Sequence, residues 1–177
     1  SFVSEKNARE NLEAEMLGKS FAEVRSEATA TWNDLLGRIR VEGGTEREKG
    51  LFYSSLYRSF LWPALRSDVN GEFTDVDGKV INPGFRYYTG PSYWDDYRNK
   101  LILLGMLAPD VAADVISSDT DKGEKRGGFM PTFFHGDHAS AFVAGVYLRG
   151  IRGFDVRRAY ELVLRNATVQ GPIRPWL

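Results

Sequence analysis

The chain has 177 residues, of which 42% are hydrophobic and 13% aromatic, with a formal net charge of −1 and no cysteine. That length suits one domain with a sizeable core. The charge gives no basic footprint for nucleic acid, and the missing cysteines remove disulfides and thiolate metal sites.

Residues 4 to 17 read as a helix, with Ser4 as N-cap and Gly18 as the stop. Ser20-Phe21-Ala22-Glu23 is a capping box opening a second helix. Its apolar positions, Phe21, Val24, Ala28, Trp32, Leu35, Leu36 and Ile39, follow steps of three and four and define one buried face. The EGG at 42 to 44 breaks it. Thr45 to Glu48 is another capping box, and the third helix is expected to run to about Arg66, with Phe52, Leu56 and Phe60 on one stripe and Tyr53 and Tyr57 beside it. Pro63 kinks or ends that helix. Residues 68 to 90 are rich in Gly, Asn, Asp and Pro, and DVDGKV carries the Asp-Gly signal of a tight hairpin. This segment is expected to be an irregular hairpin inserted between helices.

Ser92 then caps a fourth helix, SYWDDYRNKLILLGML, and Pro109 starts a fifth at its first position. SSDTDKGEKRGG reads as a solvated loop. HASAFVAGVYLRG and DVRRAYELVLRNAT are two further helices, and VQGPIRPWL a final loop. No stretch reaches the roughly 20 apolar residues of a membrane span. The N-terminus SFVSEKNARE is charged at once and lacks the shape of a signal peptide. Seven helices and one hairpin predict a mainly α fold, for which an open bundle and a partial toroid of paired helices both fit.

Two stretches could carry chemistry. In Trp94-Asp95-Asp96-Tyr97-Arg98, helical spacing puts Asp95 and Arg98 on one side and the Trp94 indole next to the Arg98 guanidinium. A ring that stacks on a sugar face, with a carboxylate and a donor fork for adjacent hydroxyls, suits a polyol. The bland alternative is a surface ion pair beside a core Trp. In GGFMPTFFHGDHAS, both histidines of the chain, His135 and His138, flank Asp137. They could bind zinc, although no third ligand is obvious. Asp137 could instead be a general acid or base with the histidines bonding a ligand, or it could simply cap the helix at His138. Asn166-Ala167-Thr168 matches a glycosylation acceptor, a triplet frequent by chance.

SFVSEKNARENLEAE, FAEVRSEATATWNDLLGRIRVEGGTEREKGLFYSSLYRS, YYTGPSYWDDYR, GGFMP and YLRGIRGFDVRRAYE resemble, in this order, segments of glycoside hydrolase family 92, the calcium-dependent α-mannosidases best known from glycan-degrading bacteria. The resemblance covers nearly the whole chain. It implies the first part of an (α/α)6 toroid, with residues 1–44 as linker helices and 45–177 as the N-terminal portion of the catalytic domain, and without the family's β-sandwich. It implies an exo-acting, inverting enzyme for terminal α-mannosides of glycans, with calcium as cofactor and a secreted or periplasmic parent. Trp94, Asp95 and Arg98 would line the terminal mannose pocket. The aspartates usually assigned as general base are expected beyond Leu177, so the 177 residues alone are expected to be inactive. The family's Gly-Asn-Glu-Thr-like segment, whose Glu is the general acid, has no counterpart between GGFMPTFF and HGDHAS. Asp137 is then the nearest replacement acid, and His135 and His138 border the leaving-group side. A catalytically inactive sugar-binding relative, a zinc hydrolase and a helical scaffold without a site are the competing readings.

Overall fold

The computed structural model describes residues 1–132, 134 and 136–171. Among these are eight helices and one two-stranded hairpin.

Helices α1 (Glu5–Glu15), α2 (Phe21–Leu36) and α3 (Glu46–Ser59) begin where their caps predict. The Ser4 hydroxyl accepts from the Asn7 amide at 3.1 Å. Both capping boxes close, Ser20 with Glu23 and Thr45 with Glu48. Helix α3 stops at Ser59, short of the predicted end near Arg66. The reason is Pro63, which brings no N–H to the Ser59 carbonyl and whose ring would strike it.

Strands β1 (Phe73–Thr74) and β2 (Val80–Ile81) pair antiparallel, with Phe73 opposite Ile81 and Thr74 opposite Val80. The Asp75 carboxylate ties the turn by accepting from the amides of Asp77 at 2.9 Å and Lys79 at 2.8 Å. Helix α1 is laced to this excursion: Asn7 donates to Glu72 at 2.9 Å and Asn11 to Asp68 at 2.7 Å. The expected hairpin at 68 to 90 is therefore present, short and irregular, with the Phe73 and Tyr87 rings stacked at 3.6 Å.

The predicted fourth helix is two, α4 (Tyr93–Asp96) and α5 (Lys100–Leu107). Asn99 interrupts it, because its side chain accepts from the Lys100 amide at 2.6 Å and caps α5 afresh. A larger correction concerns SSDTDKGEK, expected as a solvated loop. It continues α6 (Pro109–Lys125), and Ser118, Asp119, Thr120 and Gly123 are buried. The hydroxyls satisfy themselves on the preceding turn, Ser118 on the Asp114 carbonyl at 2.7 Å and Thr120 on that of Ile116 at 2.8 Å. Helices α7 (His138–Leu148) and α8 (Val156–Thr168) follow as predicted.

Helix α6 packs against α5, α7 and α8 around a core that includes Leu101, Leu104, Val115, Ile116, Phe142, Val146 and Leu162. Gly123 permits a close approach beside it. A Cβ there would sit 2.5 Å from the Phe129 carbonyl oxygen and 3.0 Å from a Leu162 methyl. Helix α2 instead buries no residue and meets α3 through Trp32 on Tyr57, with ring centroids 4.5 Å apart. No helix among the described residues is long and apolar enough to cross a membrane.

Candidate active site

The two stretches singled out by sequence lie far apart along the chain, but the fold brings them together. The Trp94 ring lies 5.7 Å from that of Phe134, and the Tyr97 ring stacks on the His138 imidazole at 4.2 Å and 14°. Two ring contacts thus hold α4 and its following turn against the residues leading into α7.

Along that seam the polar groups take places that spacing alone did not give. Helix α4 ends at Asp96, so Trp94 and Arg98 do not share a helical face. The Arg98 guanidinium turns to Tyr97, with Nε donating to the phenol at 2.8 Å and the group 5.2 Å from the ring centroid. Among the described residues no ion pair joins Asp95 to Arg98. Ser92, expected as a cap, donates its hydroxyl to the Asp95 carboxylate at 2.6 Å and makes no side-chain cap bond. The ion pair of this segment is Asp96 with Lys100, at 3.2 Å. Trp94 keeps 47% of its surface exposed, so part of its ring remains open to solvent while its other contact is Phe134.

Asp137 is the N-cap of α7. Its carboxylate accepts from the Ser140 amide at 3.3 Å, from the Ser140 hydroxyl, and from the Asn166 side chain at 3.3 Å. This is the capping geometry with one added tie to α8. His138 follows as the first helical residue, and its Nε2 is buried with no hydrogen-bond partner. A Cβ on Gly136 would lie 3.5 Å from that nitrogen, so the glycine turn, with φ 85°, leaves room beside it. Phe134 has φ 64°, in the left-handed region where a bulky side chain is strained. Such strain concentrates at functional sites. The expectation for His135 falls outside the described residues.

Asn166 is fully buried and donates to the Met130 carbonyl at 3.0 Å as well as to Asp137. A side-chain nitrogen so enclosed is not a glycosylation acceptor, which corrects that reading of the triplet.

Beneath the seam is a group that the sequence reading passed over. Asp119, 1% exposed, accepts from the Tyr93 hydroxyl and, at 2.8 Å, from the Lys122 ammonium. Lys122 also donates to the Tyr88 carbonyl at 2.8 Å. Burial pushes the Asp119 carboxyl above its ordinary value against the pull of Lys122, and burial with the adjacent carboxylate pushes the Tyr93 phenol well up. The only trace in the sequence is the three-residue spacing of Asp119 and Lys122, which a loop assignment conceals.

Compared with known proteins, residues 7–176 match the model of the glycosyl hydrolase family 92 catalytic domain. A relative from Arthroderma benhamiae, described as an uncharacterized secreted glycosidase, is 28% identical over 97% of this chain and 20% of its own length. Among solved structures, a family 92 α-mannosidase from Bacteroides thetaiotaomicron is similar with a TM-score of 0.87 and 29% identity, over 94% of this chain and 24% of that one. The same mannosidase has been solved with mannoimidazole bound. An inverting family 92 mannosidase of that species matches with a TM-score of 0.86 and 26% identity, over 97% and 25% of the two chains. The chain therefore spans about a quarter of the length of the solved relatives and a fifth of the curated one.

Proposed function

Because this chain belongs to glycosyl hydrolase family 92, we propose that it forms part of an exo-acting, inverting α-mannosidase acting on terminal α-mannosides of glycans. In this reading residues 1–44 lead into an (α/α)6 toroid, residues 45–177 form its first part, and the whole protein is secreted or periplasmic. The observation that carries the reading is the seam, where Trp94 meets Phe134 and Tyr97 stacks on His138, so that the segment bearing the part-exposed Trp94, Asp95 and Arg98 lies against the turn bearing Asp137. A sugar's CH face stacks on the indole while adjacent hydroxyls donate to Asp95 and accept from Arg98. The unpartnered His138 Nε2 supplies one further bond to a hydroxyl.

Inversion requires one carboxyl to protonate the leaving oxygen and a second carboxylate, roughly 6.5–9.5 Å away, to take a proton from the attacking water. Asp137 is the proposed donor, and the base comes from outside these residues. The 177 residues alone should then show no turnover of an aryl α-mannoside, and clear turnover overturns that assignment.

The family resemblance also implies calcium. Among the described residues no three or more His, Asp or Glu side chains converge as a metal site. The carboxylates nearest the seam are already engaged, Asp95 by Ser92 and Asp137 by Ser140 and Asn166. The described residues thus form no carboxylate cage for calcium, and in this reading backbone or amide oxygens and other parts of the protein complete its shell. Chelation of the whole protein should abolish activity, with calcium restoring it better than zinc. Restoration by zinc alone favours the zinc hydrolase instead.

In the whole protein, Asp95→Ala or Arg98→Ala should lower kcat/KM on α-mannosides by about a hundredfold, since each removes a charged hydrogen bond and strands its partner. Full activity with lowered stability makes both residues structural. Asp137→Asn keeps an acceptor for the cap, so it should spare dinitrophenyl mannoside and disable substrates with poor leaving groups. Wild-type rates on both reduce Asp137 to a cap. A wild-type protein that binds mannose without hydrolysing it selects the sugar-binding relative.

A further inference from the structure

The geometry points to Asp119 as a positioning residue that, through the Tyr93 hydroxyl, fixes the place of the sugar-contacting segment Trp94 to Arg98; the role named for that segment rests on the proposed function.

Three observations carry this. First, Tyr93 is the residue immediately before Trp94, and it is the one fully enclosed side chain of the four-residue helix α4, at 2% exposed. Its ring packs on Phe142 of α7, with centroids 6.1 Å apart, and its hydroxyl donates to Asp119 of α6. One side chain therefore pins the start of the segment to two helices of the core. Second, Asp119 is held from its other oxygen by Lys122, whose ammonium also takes the Tyr88 carbonyl. The chain on both sides of Gly90-Pro91, at Tyr88 and at Tyr93, is thus tied to one ion pair between the buried Asp119 and the part-buried Lys122. Gly90 itself lies over that pair, since a Cβ there would meet the Asp119 carboxylate at 3.7 Å and the Lys122 ammonium at 3.9 Å. Third, α4 is a single turn and makes no side-chain cap bond. A helix this short does not hold its own shape in water, so the orientation of Trp94 and Asp95 depends on its anchor.

A buried ion pair is weak evidence for stability, because removing two charges from water offsets their attraction. Its use here is geometric. It gives the Tyr93 hydroxyl one acceptor at one place, and a sugar subsite loses much of its effect when displaced by about 1 Å.

The test uses the whole protein. Tyr93→Phe removes only the hydroxyl and leaves the ring on Phe142. Amide exchange of residues 92–98 should accelerate by about tenfold while exchange in α5 to α8 stays at wild-type rates, the loss of one hydrogen bond being felt locally. On an aryl α-mannoside, kcat/KM should fall about tenfold, chiefly through KM, and mannoimidazole should bind correspondingly more weakly. Asp119→Asn, which keeps an acceptor for Tyr93, should retain more of both properties than Asp119→Leu. Unchanged exchange at 92–98 in Tyr93→Phe overturns the inference, as does equal loss in the two Asp119 variants. If Asp119→Leu does not fold, the Tyr93→Phe arm decides. A wild-type protein that neither binds nor cleaves mannosides refutes the proposed function, and the exchange result still decides whether Asp119 and Tyr93 hold the segment.

Discussion

Helices α2 and α6 are nearly the same length, 16 and 17 residues, and have opposite fates. Helix α2 carries an apolar stripe with Trp32, Leu35 and Leu36, yet buries no residue and leaves Phe21 83% exposed. Helix α6 is rich in Ser, Asp, Thr and Lys, yet buries eight positions, Ser118, Asp119 and Thr120 among them. Periodicity reports that a helix has a face. What covers that face is decided by neighbours, and α6 lies between α5, α7 and α8, whereas α2 meets α3 alone in strength. The candidate site follows α6: Tyr93, Asp137 and Asn166 all reach the packed side of the molecule.

The comparison breaks most visibly at the buried charge. Asp119→Ala strands the enclosed Tyr93 hydroxyl and leaves the part-buried Lys122 ammonium with only the Tyr88 carbonyl, and should lower unfolding stability by about 3 kcal/mol or more. Asp34→Ala, which removes the partner of Arg38 on the exposed side of α2, should cost about 1 kcal/mol or less. Urea unfolding of both variants makes the check, and similar losses would mean that burial does not separate the two helices.

A smaller contrast is expected from packing. Ile116→Ala empties a site with no solvent exposure and should cost about 2–5 kcal/mol. Leu35→Ala, at a half-buried position of the largely exposed α2, should cost about 1 kcal/mol. Matching midpoint shifts would place Leu35 under cover as complete as that of Ile116.

Capping should matter more to α2, which has little else. Ser20→Ala opens its capping box and should cost about 1 kcal/mol, seen as faster amide exchange in its first turn. Exchange unchanged from wild type would show that packing, not the box, holds that end.

Acid sharpens the comparison with the smallest effect, and with opposite signs. The Ser20 hydroxyl and backbone lower the Glu23 pKa, and the Thr45 backbone and hydroxyl lower that of Glu48, from an ordinary 4.5. Their contribution is therefore present above 4.5 and lost as pH falls through the lowered folded values. The Asp119 carboxyl is raised by burial from 3.8, so its contribution is present below 3.8 and weakens as pH rises through the folded value. On acidification the first turns of α2 and α3 should lose exchange protection before α6 does. Simultaneous loss contradicts these assignments.

Local chemistry in the sequence determined the starts of α1, α2 and α3, because a cap and its partner lie within four residues and need nothing else. It determined the hairpin, through an Asp-Gly turn, and the family, through motifs spread along the chain in order. It also marked Trp94, Asp95, Arg98, Asp137 and His138 as the polar and aromatic residues worth watching. The tertiary structure alone decided that the two stretches meet through Trp94 on Phe134 and Tyr97 on His138, since contacts across some forty residues leave no local period. It alone decided that Asn166 is buried, and that a stretch reading as a polar loop is the central helix beneath the site. Ser, Thr and Asp are disfavoured inside helices because they compete for backbone hydrogen bonds. Here their hydroxyls bond back to the preceding turn and Asp119 finds Tyr93 and Lys122, partners that only the folded chain supplies.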